Sequence, residues 1–167
     1  MRKLNFLKAI IDFTWIMSMI TVPVAVCFVG ILFYTNESFG MPLYINGNKI
    51  SMIESKDKII VVLLLCSYLL LLYGLFLFKR ILFAFQRRRV FHEENCLNFN
   101  KIGIILIISA LISGIPMFLY KFYQKEFELE FGLNGFILMI ALGLFFMILS
   151  ELFQIAKKQK EENELTI

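Results

Sequence analysis

Four long apolar stretches divide this chain, and charged residues bound each of them. Residues 9–33 are apolar apart from Asp12 and a few hydroxyl side chains, while 59–78, 102–120 and 133–150 carry no charge. A helix needs roughly 20 apolar residues to cross a hydrocarbon core of about 30 Å. Each stretch meets or approaches that length. Helices are the spanning solution for an open chain in lipid, because every backbone donor and acceptor then finds its partner within its own segment. The pattern therefore predicts an all-α integral membrane protein with a four-transmembrane-helix bundle in one domain, 1–167. The spans are placed at about 9–33, 58–80, 101–122 and 133–156, with outer loops 34–57 and 121–132, an inner loop 81–100 and a tail 157–167.

The polar segments add detail. In the first outer loop, Leu43-Tyr44-Ile45 and Asn48-Lys49-Ile50 flank Asn46-Gly47, the strongest short hairpin signal because both turn positions favour φ > 0. A short extracytoplasmic β-hairpin is expected there. In the second outer loop, Glu126, Glu128 and Glu130 alternate with Phe127, Leu129 and Phe131, the period of a strand or an interfacial segment. Nothing between Lys79 and Phe91 breaks a helix, so span two is expected to continue past the membrane surface. A new helix should then start at His92-Glu93-Glu94-Asn95, its acidic first turn favoured by the helix dipole. Lys157/Glu161, Lys158/Glu162 and Lys160/Glu164 have i, i+4 spacing, so span four should also project as a helix.

Composition agrees with lipid as part of the solvent. Hydrophobic residues make up 59% and charged residues only 18%, against about 45–50% and about 25% in a soluble domain. The formal charge of +4 does not signal nucleic acid here, and no direct nucleic-acid partner is expected, because the cations sort by loop. Arg2, Lys3 and Lys8 precede span one; Lys79, Arg80, Arg87, Arg88, Arg89 and Lys101 follow span two; Lys157, Lys158 and Lys160 follow span four. That makes twelve on one side, against five (Lys49, Lys56, Lys58, Lys121, Lys125) on the other. By the positive-inside rule the twelve lie in the cytoplasm, giving a multi-pass protein of the cytoplasmic membrane with both termini inside. The first stretch is too long for a cleaved leader and lacks a small-x-small site. Val24-Ala25-Val26-Cys27 only loosely matches a lipoprotein box, so a retained first span is expected.

Chemistry is sparse. His92 is the one histidine, which excludes a histidine-rich metal site or a multi-histidine catalytic set. No glycine-rich phosphate loop, Cys-x-x-Cys or His-Glu-x-x-His occurs. Cys27, Cys66 and Cys96 are too few and too far apart for a disulfide framework, and Cys27 and Cys66 are expected to behave as small buried hydrophobes. Catalytic residues, metal and cofactor are therefore all expected to be none. Asp12 and Glu151 are the intramembrane ionisable residues, each about a turn inside a span; Asp12 can meet Lys8, and Glu151 can meet Lys158 or Arg80. The small residues Ser109/Ser113 and Ala110/Gly114 have the spacing that lets helices approach closely, either within the bundle or in a homo-oligomer. Pro23 and Pro116 are expected to kink spans one and three.

Phe91-His92-Glu93-Glu94-Asn95, followed by Gly103 and the terminal Glu161-Glu162-Asn163-Glu164-Leu165-Thr166-Ile167, resembles the bacterial membrane proteins catalogued as domain of unknown function 2975. Members typically finish in Glu-x-Asp-Leu-Thr-Ile/Val, so Glu164 stands where Asp is usual, and Ala156 holds a place that is often Gly. The resemblance covers nearly the whole chain and implies four spans without an established activity. Some members look as if they are encoded beside small helix-turn-helix regulators, which implies a class of partner. The sequence thus points to a non-enzymatic protein in contact with the lipid bilayer, presenting Arg87, Arg88, Arg89, Glu161, Glu162 and Glu164 to a soluble cytoplasmic protein. The alternative is a membrane protein of small-molecule or peptide transport or immunity.

Overall fold

The computed structural model describes residues 2–34, 43–45, 48–50, 55–124 and 134–164. Four helices carry the chain: α1 Arg2–Tyr34, α2 Ser55–Gln86, α3 Glu93–Gln124 and α4 Gly135–Glu164. All four are long and apolar enough to cross a membrane. Helices α1 and α3 run through Pro23 and Pro116 without ending there. Between α1 and α2, strand β1 (Leu43–Ile45) pairs antiparallel with β2 (Asn48–Ile50) in the register Leu43↔Ile50, Tyr44↔Lys49, Ile45↔Asn48. Asn46 and Gly47, on which the turn expectation rests, lie outside the described residues, as does the alternating segment 126–131.

The helices pack in series. Helix α3 lies between α2 and α4, α2 carries α1 on its other side, and among the described residues α1 does not approach α3 or α4. The core sits where α2, α3 and α4 meet, around Leu77, Ile81, Phe99, Ile102 and Ile105. Lipid is as apolar as these side chains, so close packing and interhelical hydrogen bonds have to hold the array together. Both are present. Gly103 of α3 faces Gly143 of α4 so closely that a Cβ on either would lie under 3 Å from the other's carbonyl oxygen. Ser67 of α2 and Ser109 of α3, both buried, meet Oγ to Oγ at 2.7 Å; Ser67 Oγ also donates to Ser109 O (3.0 Å), and Ser109 Oγ lies 3.2 Å from Ser67 O. Ser150 Oγ of α4 donates to Cys96 O of α3 at 2.7 Å. The small-residue stripe of α3 is thus taken up within the chain, with Ser109 and Ala110 fully buried and Gly114 against the Phe136 ring.

Helix α1 is held differently. Trp15 packs on Phe76 at 5.5 Å between ring centres, Thr21 and Tyr68 share a 2.6 Å hydrogen bond, and Lys79 Nζ meets Asp12 Oδ1 at 2.9 Å. Near its start, Lys8 Nζ donates to Gln86 Oε1 (2.8 Å) and Gln86 Nε2 to Asn5 Oδ1 (2.9 Å). Two cysteine expectations are corrected here: Cys27 and Cys66 lie exposed on the outer surface of the helices, and Cys96 is the buried thiol. Among the described residues, helix α1 packs on α2 alone and turns most of its circumference outward, Cys27 with it, while Cys66 lies on a part of α2 that neither neighbour covers.

Candidate functional site

The start of α1, the α2–α3 connection and the end of α4 gather at one end of the array. Aromatic rings form its floor. Phe91 packs on Phe153 (6.0 Å), Phe153 stacks on Phe99 (5.2 Å), Phe99 on Phe146 (6.1 Å), and Phe146 meets Phe78 edge-on (5.9 Å). Phe85 joins the same column through Phe99 and Phe153. This column ties α2 to α4 across α3 and fixes the turn above it.

The turn itself has a recognisable construction. Arg89 N–H donates to Ala84 O at 3.0 Å and Arg88 N–H to Phe85 O at 3.1 Å, the paired bonds of a Schellman motif closing α2. Arg88 occupies its left-handed position, with φ of 59°. Glycine usually fills that place, and another L-residue costs roughly 1–2 kcal/mol there. The buried Asn95 side chain braces the turn, donating to Arg89 O at 2.6 Å and Val90 O at 3.1 Å. His92 O then accepts from Asn95 N–H at 2.9 Å, which starts α3, and Glu93 and Glu94 occupy its first turn. Asn95 was not singled out from sequence as a bracing residue; an Asn in the third position of a helix after a basic run was the available signal.

The three arginines project from this turn and are exposed. Arg87 lies over the Phe83 ring at 4.2 Å from its centre. Among the described residues none of the three makes an ion pair with a carboxylate. Glu161 and Glu162 instead pair with Lys157 (3.7 Å) and Lys158 (3.9 Å) one turn back on α4. Lys157 also reaches Glu93 of α3 at 3.4 Å. The side chain of Glu164 lies outside the described residues. Arg88, Arg89 and His92 nevertheless share a cleft of about 300 Å³ with Lys157, Lys160 and Glu161. A neighbouring cleft of about 240 Å³ lies between Arg80, Arg87, Arg89, His92 and Glu94.

Asp12 and Glu151 do not meet the partners expected of them. Asp12 pairs with Lys79 rather than Lys8, and that contact is the only partner of its Oδ1 among the described residues. Arg80 pairs with Glu94 at 2.5 Å and Lys158 with Glu162, so neither serves Glu151, which stands exposed on α4. For Asp12, sequence spacing favoured Lys8 on the same helix, whereas antiparallel packing supplied Lys79 on the next.

At the opposite end, a largely apolar cavity of about 640 Å³ opens between α2, α3 and α4, lined by Leu64, Ser113, Gly114, Met117, Phe136 and Met139 among others. Asn134 caps α4 beside it, its Oδ1 accepting from Phe136 N–H at 3.2 Å. No group of side chains able to hold a metal ion occurs among the described residues. The family model described as protein of unknown function (DUF2975) matches residues 7–167. No curated protein and no solved structure matches the chain.

Proposed function

This chain belongs to the DUF2975 family, and from that premise we propose a non-enzymatic membrane protein that holds a soluble protein at the cytoplasmic surface. The observation that carries the reading is the stem formed by the ends of α2, α3 and α4. From Lys79 to Arg87, helix α2 continues for about 12 Å beyond its apolar run. Over that length it stays packed on α3 and α4 through the Phe85, Phe99 and Phe153 rings. Exposed Phe83 and Leu97 lie along the stem beneath the arginines, so the projecting surface is amphipathic as well as charged. Bulky apolar groups next to arginines are a usual composition for a protein-binding patch.

The twelve-to-five division of Lys and Arg supports placing the stem, both termini and residues 87–89 in the cytoplasm of a bacterial inner membrane, with the β1–β2 pair outside. An impermeant thiol reagent should label Ser38→Cys in intact cells and leave Gln159→Cys untouched, each in a cysteine-free background. The partner the family resemblance suggests is a small helix-turn-helix regulator. Recovery of that protein from native membranes in mild detergent should fall when Arg87, Arg88 and Arg89 become Ala, and when the chain is cut before Glu161. Equal recovery with correctly inserted variants removes this reading.

A second reading, transport of or immunity to a small molecule or peptide, has one observation in its favour, the apolar cavity beside Gly114 and Phe136. Saturable retention of an apolar compound that Gly114→Leu abolishes would favour it over partner docking.

A further inference from the structure

We infer that the cleft between the Arg88 turn and the end of α4 is a binding site for a phosphate-bearing anion. Its walls come from separate parts of the chain: Arg88, Arg89 and His92 from the α2–α3 turn, and Lys157, Lys160 and Glu161 from α4. Four cations thus face one carboxylate in a space of about 300 Å³. That carboxylate and Glu93 are both engaged with Lys157. Arg88 and Arg89 make no ion pair among the described residues, so the turn contributes to the cleft two guanidinium groups that no described carboxylate pairs. Guanidinium presents its donors in a fork that matches phosphate oxygens, which makes adjacent arginines a better phosphate ligand than a carboxylate-lined or apolar wall.

The backbone supplies an independent observation. A Schellman turn with φ of 59° at Arg88 keeps arginine where glycine serves most helices. Residues held in an unfavourable conformation cluster at ligand clamps, and the surrounding structure must over-determine them. Here Asn95 does so from below, through both Arg89 O and Val90 O. The backbone at position 88 is thereby held at the edge of the cleft that Lys157 and Lys160 also line.

Phosphate could reach the cleft from solution or on a lipid headgroup. The headgroup layer adds only about 5–8 Å to each side of the hydrocarbon core, and Arg87 stands about 12 Å past Lys79. Height therefore favours a soluble phosphate compound. The site shares Arg88, Arg89 and Glu161 with the docking surface proposed above, but phosphate binding does not depend on a docked protein.

The test uses the full chain in nanodiscs. In neutral phosphatidylcholine discs, titration with pyrophosphate should give saturable heat. Its affinity should fall at least tenfold in Arg88→Gly/Lys160→Gln, and also when NaCl is raised from 50 to 200 mM. Glycine is the ordinary residue for the turn, so this variant should keep the fold, which circular dichroism verifies. In discs containing phosphatidylglycerol, native mass spectrometry reads headgroup retention. Retention that the same substitutions abolish, with no pyrophosphate response, keeps the phosphate site and assigns its source to lipid. Absence of both signals, or signals equal in wild type and variant, overturns the site. Loss of protein capture in the variant without any phosphate response also overturns it, and that result alone would leave the docking reading standing.

Discussion

Gly103→Ala tests the packing on which the stem depends. A Cβ at position 103 would stand 2.6 Å from Gly143 O and 2.5 Å from Met147 Cγ. The methionine can swing away, but the carbonyl belongs to the backbone of α4. Reaching ordinary contact at 3.4 Å requires α3 and α4 to part locally by about 0.8 Å. Overpacking of this kind costs about 1–3 kcal/mol, set against about 1 kcal/mol gained from replacing glycine in a helix interior. The net expectation is a loss of up to about 2 kcal/mol, which at roughly 2–4 °C per kcal/mol lowers the apparent melting temperature by up to about 8 °C. Gly30 of α1 supplies the control, because a Cβ there meets nothing within 4 Å. Gly30→Ala should leave the melting point unchanged or raise it slightly. Buried Cys96, whose carbonyl accepts from Ser150 in the same α3–α4 joint, offers the readout. In a Cys27→Ser/Cys66→Ser background, a thiol-reactive dye reports the temperature at which that joint opens. If Gly103→Ala melts at or above the temperature of Gly30→Ala, the close-approach argument is wrong.

Two further substitutions examine the other joints. Ser67→Ala should weaken the α2–α3 contact by about 0.6 kcal/mol and at most about 1.7, and adding Ser109→Ala should cost less than the sum of the singles; the same dye assay measures both. Lys79→Met leaves Asp12 without its cation, and because both side chains are about a third exposed (36% and 35%) the loss should stay near 1 kcal/mol. The exchange Asp12→Lys/Lys79→Asp should restore it, as read by cysteine cross-linking between α1 and α2.

The sequence made the four helices legible because the signal is gross: uncharged runs of membrane-crossing length leave helix as the spanning solution. Some ends of those helices were legible for local reasons. The acidic start at Glu93 marks where α3 begins, whereas the run from Lys79 to Phe91 carries no break and α2 ends at Gln86 inside it; the i, i+4 pairs Lys157/Glu161 and Lys158/Glu162 form on α4. The partners of Asp12 and Arg80 were not legible. They depend on the offset between antiparallel helices, and within uniformly apolar spans the sequence does not mark that offset. The exposure of Cys27 and Cys66 escaped for the same reason, since in lipid an apolar residue gives no sign of whether it faces a helix or a tail. Arg88 as the left-handed residue was hidden too, because the tripeptide Arg87-Arg88-Arg89 carries no glycine to announce a helix end.

The serial packing of the helices has a consequence for how the protein is made. Each span docks its backbone against the one synthesised just before it, α2 on α1, α3 on α2 and α4 on α3. Contacts between neighbours in sequence carry little loop-closure entropy and form fast. No helix has to wait in the bilayer for a distant partner, so assembly can keep pace with the ribosome. Until α4 arrives, Gly103 lacks Gly143, and the Phe99 ring, already against Phe85 of α2, lacks Phe146 and Phe153. The stem is therefore completed last, by the final helix to leave the insertion machinery.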